Sequence, residues 1–111
     1  MIKNIRKVID DNKLKYSLVV KNLKTGEAFQ INENTTVPAA STIKLFIMGE
    51  AFRQVKSGRH SLEERIVVED IAKVPDSILS MLETGNSYSF KDIITLMIVQ
   101  SDNTAANILI D

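Results

Sequence analysis

The stretch PAASTIKLFIMGEAF, residues 38–52, decides how the rest of this chain is read. Residues 43–52 are apolar on nearly every side, so they read as a buried central helix. Pro38 precedes it, and it runs to about Lys56, where Ser57-Gly58 stops it. Its one early cation, Lys44, stands three residues after Ser41. A lysine there is costly twice over: burial strips water from the ammonium, and a helix start already carries positive dipole character. The placement also has a chemical use. Residues three apart on a helix share a face, with Cβ atoms about 5–6 Å apart, so a Ser41 hydroxyl and a Lys44 amine lie side by side. The first-turn N–H groups lack intrahelical partners and favour developing negative charge. Desolvation and the dipole both disfavour the charged lysine. A lysine brought towards neutrality accepts a proton from a serine nucleophile. The plainer alternative is Ser41 as an N-cap and Lys44 reaching solvent along its stem. Ser-x-x-Lys spacing alone is too common to separate the two.

A second polar element bears on the choice. Ser101-Asp102-Asn103 interrupts the apolar run FKDIITLMIVQ, residues 90–100, before TAANILID resumes helical character. Asp102 or Asn103 could simply cap that second helix. Alternatively, Ser101 presents a hydroxyl near Lys44 and Asn103 offers its amide to a bound substrate.

Around these two elements the pattern is mixed. Ile2, Ile5 and Ile9 recur at helical spacing, which predicts an amphipathic first helix packing on the core rather than lying on a membrane. Residues 16–22 and 28–32 alternate around Lys24-Thr25-Gly26-Glu27, which predicts a β-hairpin. Ser61 and Glu64 have the spacing of a helix-starting capping box, as do Ser89 and Asp92. Between them, short helical or extended pieces are punctuated by turns at Pro75 and Gly85-Asn86. Ile108, Leu109 and Ile110 form an apolar run with no cap after it, and a sole hairpin leaves two open edges. Both features suggest the N-terminal part of a larger fold.

Composition removes several function classes. The 111 residues carry 14 Lys plus Arg and 14 Asp plus Glu, so no basic excess points to nucleic acid. Cysteine is absent, which excludes disulfides, thiolate catalysis and cysteine-ligated zinc. The single histidine, His60, lies in the polar stretch KSGRHSLEE and reads as a plain surface residue. No apolar run reaches the roughly 18 residues of a membrane span. The N-terminus shows no secretory signal, so the chain as written reads as cytoplasmic.

Ser-x-x-Lys followed by Ser-Asp-Asn is a signature of class A β-lactamases and penicillin-binding proteins. YSLVVKNLKTGEAFQIN, PAASTIKLFIMGEAF and LMIVQSDNTAANILID, in that order, resemble the first half of a class A β-lactamase-like serine hydrolase over essentially the whole chain. The resemblance implies an α+β fold: an N-terminal helix, an antiparallel hairpin and a mostly helical region of a β-lactamase/transpeptidase-like domain, with later strands absent. It implies one partial domain over residues 1–111, with helix and hairpin in 1–36 and the helical part in 37–111. It implies Ser41 as the acylated nucleophile and Lys44 as its proton-accepting partner. The Ser41 N–H would be one oxyanion donor. Ser101 would shuttle a proton to the leaving nitrogen, Asn103 would bind the substrate's side-chain amide, and Asp102 would fix the turn.

The expected substrate is a small-molecule β-lactam, or a D-alanyl peptide in a peptidase of the same fold. No cofactor and no metal are implied, and relatives of this kind act outside the cytoplasm. Neither the family's deacylating glutamate nor its late Lys-Thr-Gly strand has a counterpart in these residues. The Lys24-Thr25-Gly26 triplet precedes the serine and is coincidental. Low or absent turnover by the isolated chain is therefore expected, with a C-terminal half supplied by the rest of the gene. A non-catalytic remnant or binding module is the alternative of a different class.

Overall fold

Strand β1 (Leu18–Lys21) and strand β2 (Ala28–Ile31) pair antiparallel, with Leu18 opposite Ile31 and Lys21 opposite Ala28. The turn between them is made by one side chain. Asn22 Oδ1 accepts from the Lys24 and Thr25 N–H groups, at 2.9 and 3.3 Å. Gly26, at φ 77°, then takes the left-handed conformation and donates to Asn22 O at 2.8 Å. The hairpin is the one expected from residues 16–32. The computed structural model describes Ile5, Lys7, Val8 and residues 16–110. Of the expected first helix, Ile5, Lys7 and Val8 are helical, while Ile2 and Ile9 lie outside the described residues. The chain divides into two units, Met1–Pro38 with this hairpin and Ala39–Asp111 with the remaining elements.

In the second unit helix α1 (Ile43–Lys56) is followed by strand β3 (Arg65–Val67), short helix α2 (Ile78–Met81), strand β4 (Ser87–Ser89), helix α3 (Phe90–Val99) and helix α4 (Asn103–Ile110). Helix α3 organises the core. Phe90, Ile93, Ile94 and Met97 recur at helical spacing and are all buried. Ile93 and Met97 join Val68, Leu79, Ala105 and Ala106 in one cluster, while Phe90 and Ile94 meet Ala51 in a second. Complete burial of a side chain such as Ile93 contributes about 1.5–3 kcal/mol. The helix starts where expected. Ser89 Oγ accepts from Asp92 N at 3.0 Å and Asp92 Oδ2 accepts from Ser89 N at 3.3 Å, closing a capping box worth about 1 kcal/mol.

Four expectations need correcting. Helix α1 is not buried all round. Lys44 is 4% exposed, whereas Phe46 is 73% exposed and Leu45 57%. Its inner stripe of Ile47, Met48 and Ala51 packs on the core, and the outer apolar stripe faces solvent among the described residues. Ser61 and Glu64 close a turn rather than starting a helix. Ser61 Oγ accepts from Glu63 N at 3.2 Å and Ser61 O accepts from Glu64 N at 3.1 Å. The β-branched Ile66, Val67 and Val68 just beyond favour extension, and β3 pairs with β4 in a second antiparallel sheet with Ile66 opposite Tyr88. The hairpin is therefore joined by a second antiparallel strand pair among the described residues. Finally, His60 is half-buried, stacked on Phe90 at 5.0 Å between centroids and hydrogen-bonded through Nδ1 to Glu64 at 2.8 Å. An aromatic ring beside an apolar wall loses less by stacking than by staying hydrated.

Candidate active site

Ser41 lies in a single 3-10 turn, Ala40–Thr42, that runs directly into α1. The turn is fastened from behind: Thr42 donates to Ala39 O through both its N–H, at 3.1 Å, and its hydroxyl. Ala40, immediately before the serine, sits at φ +45°, in the left-handed region that costs a non-glycine residue about 1–2 kcal/mol. The Ser41 hydroxyl caps nothing, for neither this turn nor α1 has a side-chain cap. Its oxygen accepts instead from Ser101 Oγ at 2.9 Å. The simple N-cap reading of Ser41 is thereby removed.

The reading of Lys44 as a surface lysine is removed as well. Its stem is buried in the first turn of α1, and Nζ donates to three oxygens, Ser101 Oγ at 2.9 Å, Asn103 Oδ1 at 2.7 Å and Ser101 O. An ammonium has three donors, and all three are used. None of the acceptors is a carboxylate, so a nearly dry cation is held by neutral dipoles alone. That is an uncommon arrangement, since buried charges are as a rule paired. The route from Lys44 to Ser41 runs through the Ser101 hydroxyl, which both accepts from Nζ and donates to Ser41. Sequence spacing pointed to direct adjacency of amine and serine; the geometry inserts Ser101 between them.

Ser101, Asp102 and Asn103 join α3 to α4, and the three side chains divide cleanly. Ser101 and Asn103 are exposed and reach Lys44, while Asp102 is 1% exposed and turns inward. Asp102 Oδ1 accepts from Ala105 N at 2.8 Å, a helix cap, and Oδ2 accepts from Leu79 N at 3.0 Å. Capping and turn-fixing thus belong to one carboxylate. Ser101 itself sits at φ +54°. On the α3 side Leu96 O accepts from both Gln100 N and Asp102 N, at 3.1 and 3.3 Å.

Two depressions flank the Ser41–Lys44–Ser101 ridge. One, of about 290 Å³, is lined by Ser41, Leu45, Met97, Ile98 and Ser101. The other, of about 520 Å³, includes Ser41, Lys44, Ile47, Val74, Asn103 and Ala106. Ser41 is exposed and Lys44 buried, and both line each depression. Two buried polar residues beside the site, Ser77 and Thr104, carry no signal in the sequence. Thr104 comes directly after the Ser-Asp-Asn triplet and reads as ordinary helix, and nothing local distinguishes Ser77.

The chain is similar to known proteins. A family model described as "Beta-lactamase enzyme family" matches residues 1–111. Among solved structures, the L158E mutant of PBP-A, described as an acyl-enzyme complex with penicillin-G, is 32% identical. It matches with a TM-score of 0.89 over 98% of this chain and 42% of that one. A β-lactamase from Sphaerobacter thermophilus is 39% identical at a TM-score of 0.73, over 78% of this chain and 33% of its own. An ancestral class A β-lactamase, 22% identical with a TM-score of 0.86 over 97% and 42%, shares the fold. The chain therefore spans less than half the length of each of these structures. No curated protein matches.

Proposed function

The chain belongs to the beta-lactamase enzyme family, and from that premise we propose that Ser41 is the nucleophile of a serine hydrolase acting on β-lactam amides. The observation that carries this reading is the hydrogen-bonded path from the buried Lys44 Nζ through Ser101 Oγ to the exposed Ser41 Oγ. Hydroxyls both donate and accept, so the path conducts in either direction. With Lys44 neutral, Ser41 passes its proton to Ser101, and Ser101 passes its own to Nζ. The freed Ser41 oxygen attacks the lactam carbonyl carbon. The carbonyl oxygen takes the negative charge, and the Ser41 N–H at the start of α1 stabilises it. Reversing the path returns a proton through Ser101 to the ring nitrogen as the C–N bond breaks, leaving Ser41 acylated. Asn103 keeps Oδ1 on Lys44, at 2.7 Å, and has its Nδ2 available for the substrate's side-chain amide. Asp102 holds the turn and takes no part in proton transfer.

The acyl-enzyme described for the PBP-A mutant with penicillin-G supports acylation as the step these residues equip. Hydrolysis of the ester needs an activated water. The test is a chromogenic β-lactam mixed with the protein and with Ser41→Ala. A serine-dependent signal, absent from Ser41→Ala, is expected. Equal signal from the two proteins would refute the assignment.

A further inference from the structure

Ser101 and Asn103 supply every oxygen that holds Lys44, yet neither is buried. Something behind them has to fix the turn. The candidates on the α3 side are two bonds to one carbonyl, Leu96 O. On the other side lies a denser arrangement. Thr104 Oγ1 accepts from Val74 N at 3.0 Å and donates back to Val74 O at 3.4 Å, so one hydroxyl grips both polar groups of one residue. Thr104 N, a first-turn donor of α4 without an intrahelical partner, is taken by Ser77 Oγ at 3.1 Å. Asp102 Oδ2 takes Leu79 N at 3.0 Å. Asn107 Nδ2 adds a bond to Ala72 O at 3.3 Å. Thr104 is 0% exposed, and Ser77 and Asp102 are each 1% exposed. Water competes poorly for such bonds, and an unmade one is expensive there.

Both halves of this clasp carry backbone strain. Asp76, at φ +61°, precedes Ser77, and Ser101, at φ +54°, precedes Asp102. Non-glycine residues persist in that region only where the surroundings over-determine them. The strained Ser101 is the residue whose carbonyl and hydroxyl both meet Lys44. If the clasp opens, Ser101 is free to relax and Lys44 loses two of its three acceptors together.

We propose that Ser77 and Thr104 are positioning residues: by locking residues 74–79 to the start of α4, they set Ser101 and Asn103 on Lys44 and so hold the proton path to Ser41 in register. Their catalytic consequence rests on the serine-hydrolase reading given above, but the mechanical claim does not. They touch neither substrate nor reacting atoms and act through the turn.

The test is made without substrate, so that failure of the clasp and failure of the acyl-serine reading are separable. Amide exchange at Val74 and Thr104 is monitored by NMR in a series of low urea concentrations. In parallel, modification of Lys44 by an amine-acetylating reagent is read by peptide mass. In the unaltered protein the two rates are expected to rise together, by the same factor at each urea concentration, because one opening exposes both. Thr104→Val is expected to raise Lys44 modification about tenfold or more, with exposed Lys91 unchanged as an internal control. Thr104→Ser, which keeps the hydroxyl, is expected to restore protection. Modification of Lys44 in the unaltered protein while the Val74 and Thr104 amides remain protected would overturn the proposal. So would a folded Thr104→Val with Lys44 as shielded as before. Should Thr104→Val fail to fold, the urea series on the unaltered protein decides alone.

Discussion

Two lysines in the second unit are held in similar ways and differ in one respect. Lys73 Nζ donates to Leu82 O and Thr84 Oγ1, both at 2.7 Å, and stands 3.6 Å from Asp70 Oδ1. Lys44 Nζ also meets a carbonyl and a hydroxyl, but its third partner is the neutral amide oxygen of Asn103. Lys73 ties the loop between β3 and β4 to itself, and Asp70 offsets its charge. Lys44 is buried in the first turn of α1 and forms no ion pair among the described residues. A structural lysine gains from a carboxylate partner. The partners of Lys44 lead instead to a second serine, since the Ser101 hydroxyl that accepts from Nζ also donates to Ser41.

The largest effect should come from breaking that distinction at Lys44. Lys44→Met is expected to slow β-lactam acylation of Ser41 by about 10³-fold, measured by stopped-flow or quenched intact mass. Lys44→Arg should not rescue it, since a guanidinium does not deprotonate in proteins. Next in size is Ser101→Ala, which cuts the path but leaves both ends. About 10²-fold slower acylation is expected, with less change in substrate affinity than Asn103→Ala produces. Smaller still is Lys73→Met. It leaves Leu82 O and Thr84 Oγ1 without their donor, so chemical denaturation should show a loss of about 1 kcal/mol, with the acylation rate constant of the folded protein unchanged. If Lys73→Met slowed acylation as much as Lys44→Met, the contrast between the two lysines would be wrong.

The smallest effect extends the series to an ion pair in open solvent. On α1, Arg53 donates to Glu50 at 2.7 Å, and Gln54 adds a bond at 3.0 Å. Those hydrogen bonds, Arg53 first and Gln54 second, hold the Glu50 carboxyl at about 2 against an ordinary 4.5. The folded value lies below the unfolded one, so the contribution is fully present above pH 4.5 and is lost as pH falls towards 2. Glu50→Gln should flatten that part of the acid-unfolding profile and remove the small contribution at neutral pH, where it is fully present. Screening keeps the whole effect small.

How far the sequence went is best seen in two matched pairs. Ser61/Glu64 and Ser89/Asp92 carry the same capping pattern, yet one closes a turn into a strand and the other starts a helix. The residues C-terminal to each pair decide the outcome. Phe90, Ile93, Ile94 and Met97 offer a helical stripe to bury, whereas Ile66, Val67 and Val68 are a β-branched run whose strand partner lies far along the chain. The first kind of signal is local and legible, and the second is not. The same holds at the site. Ser41, Lys44, Ser101 and Asn103 were legible because two short motifs carry them, and their meeting is seen in the hydrogen bonds. Ser77 and Thr104 act across segments with no motif of their own. The exposure of Phe46 beside the burial of Lys44 runs against hydropathy, and no local pattern announces it.

The central claim is that Ser41 is a nucleophile driven through Ser101 by Lys44, and covalent trapping tests it most directly. The protein, Ser41→Ala and Lys44→Met are each incubated with benzylpenicillin, quenched, weighed intact and mapped by peptide. The account predicts one penicilloyl adduct on the Ser41 peptide of the unaltered protein, none in Ser41→Ala, and only slow accumulation in Lys44→Met. An adduct that forms at full rate in Lys44→Met, or one that survives Ser41→Ala, would contradict it.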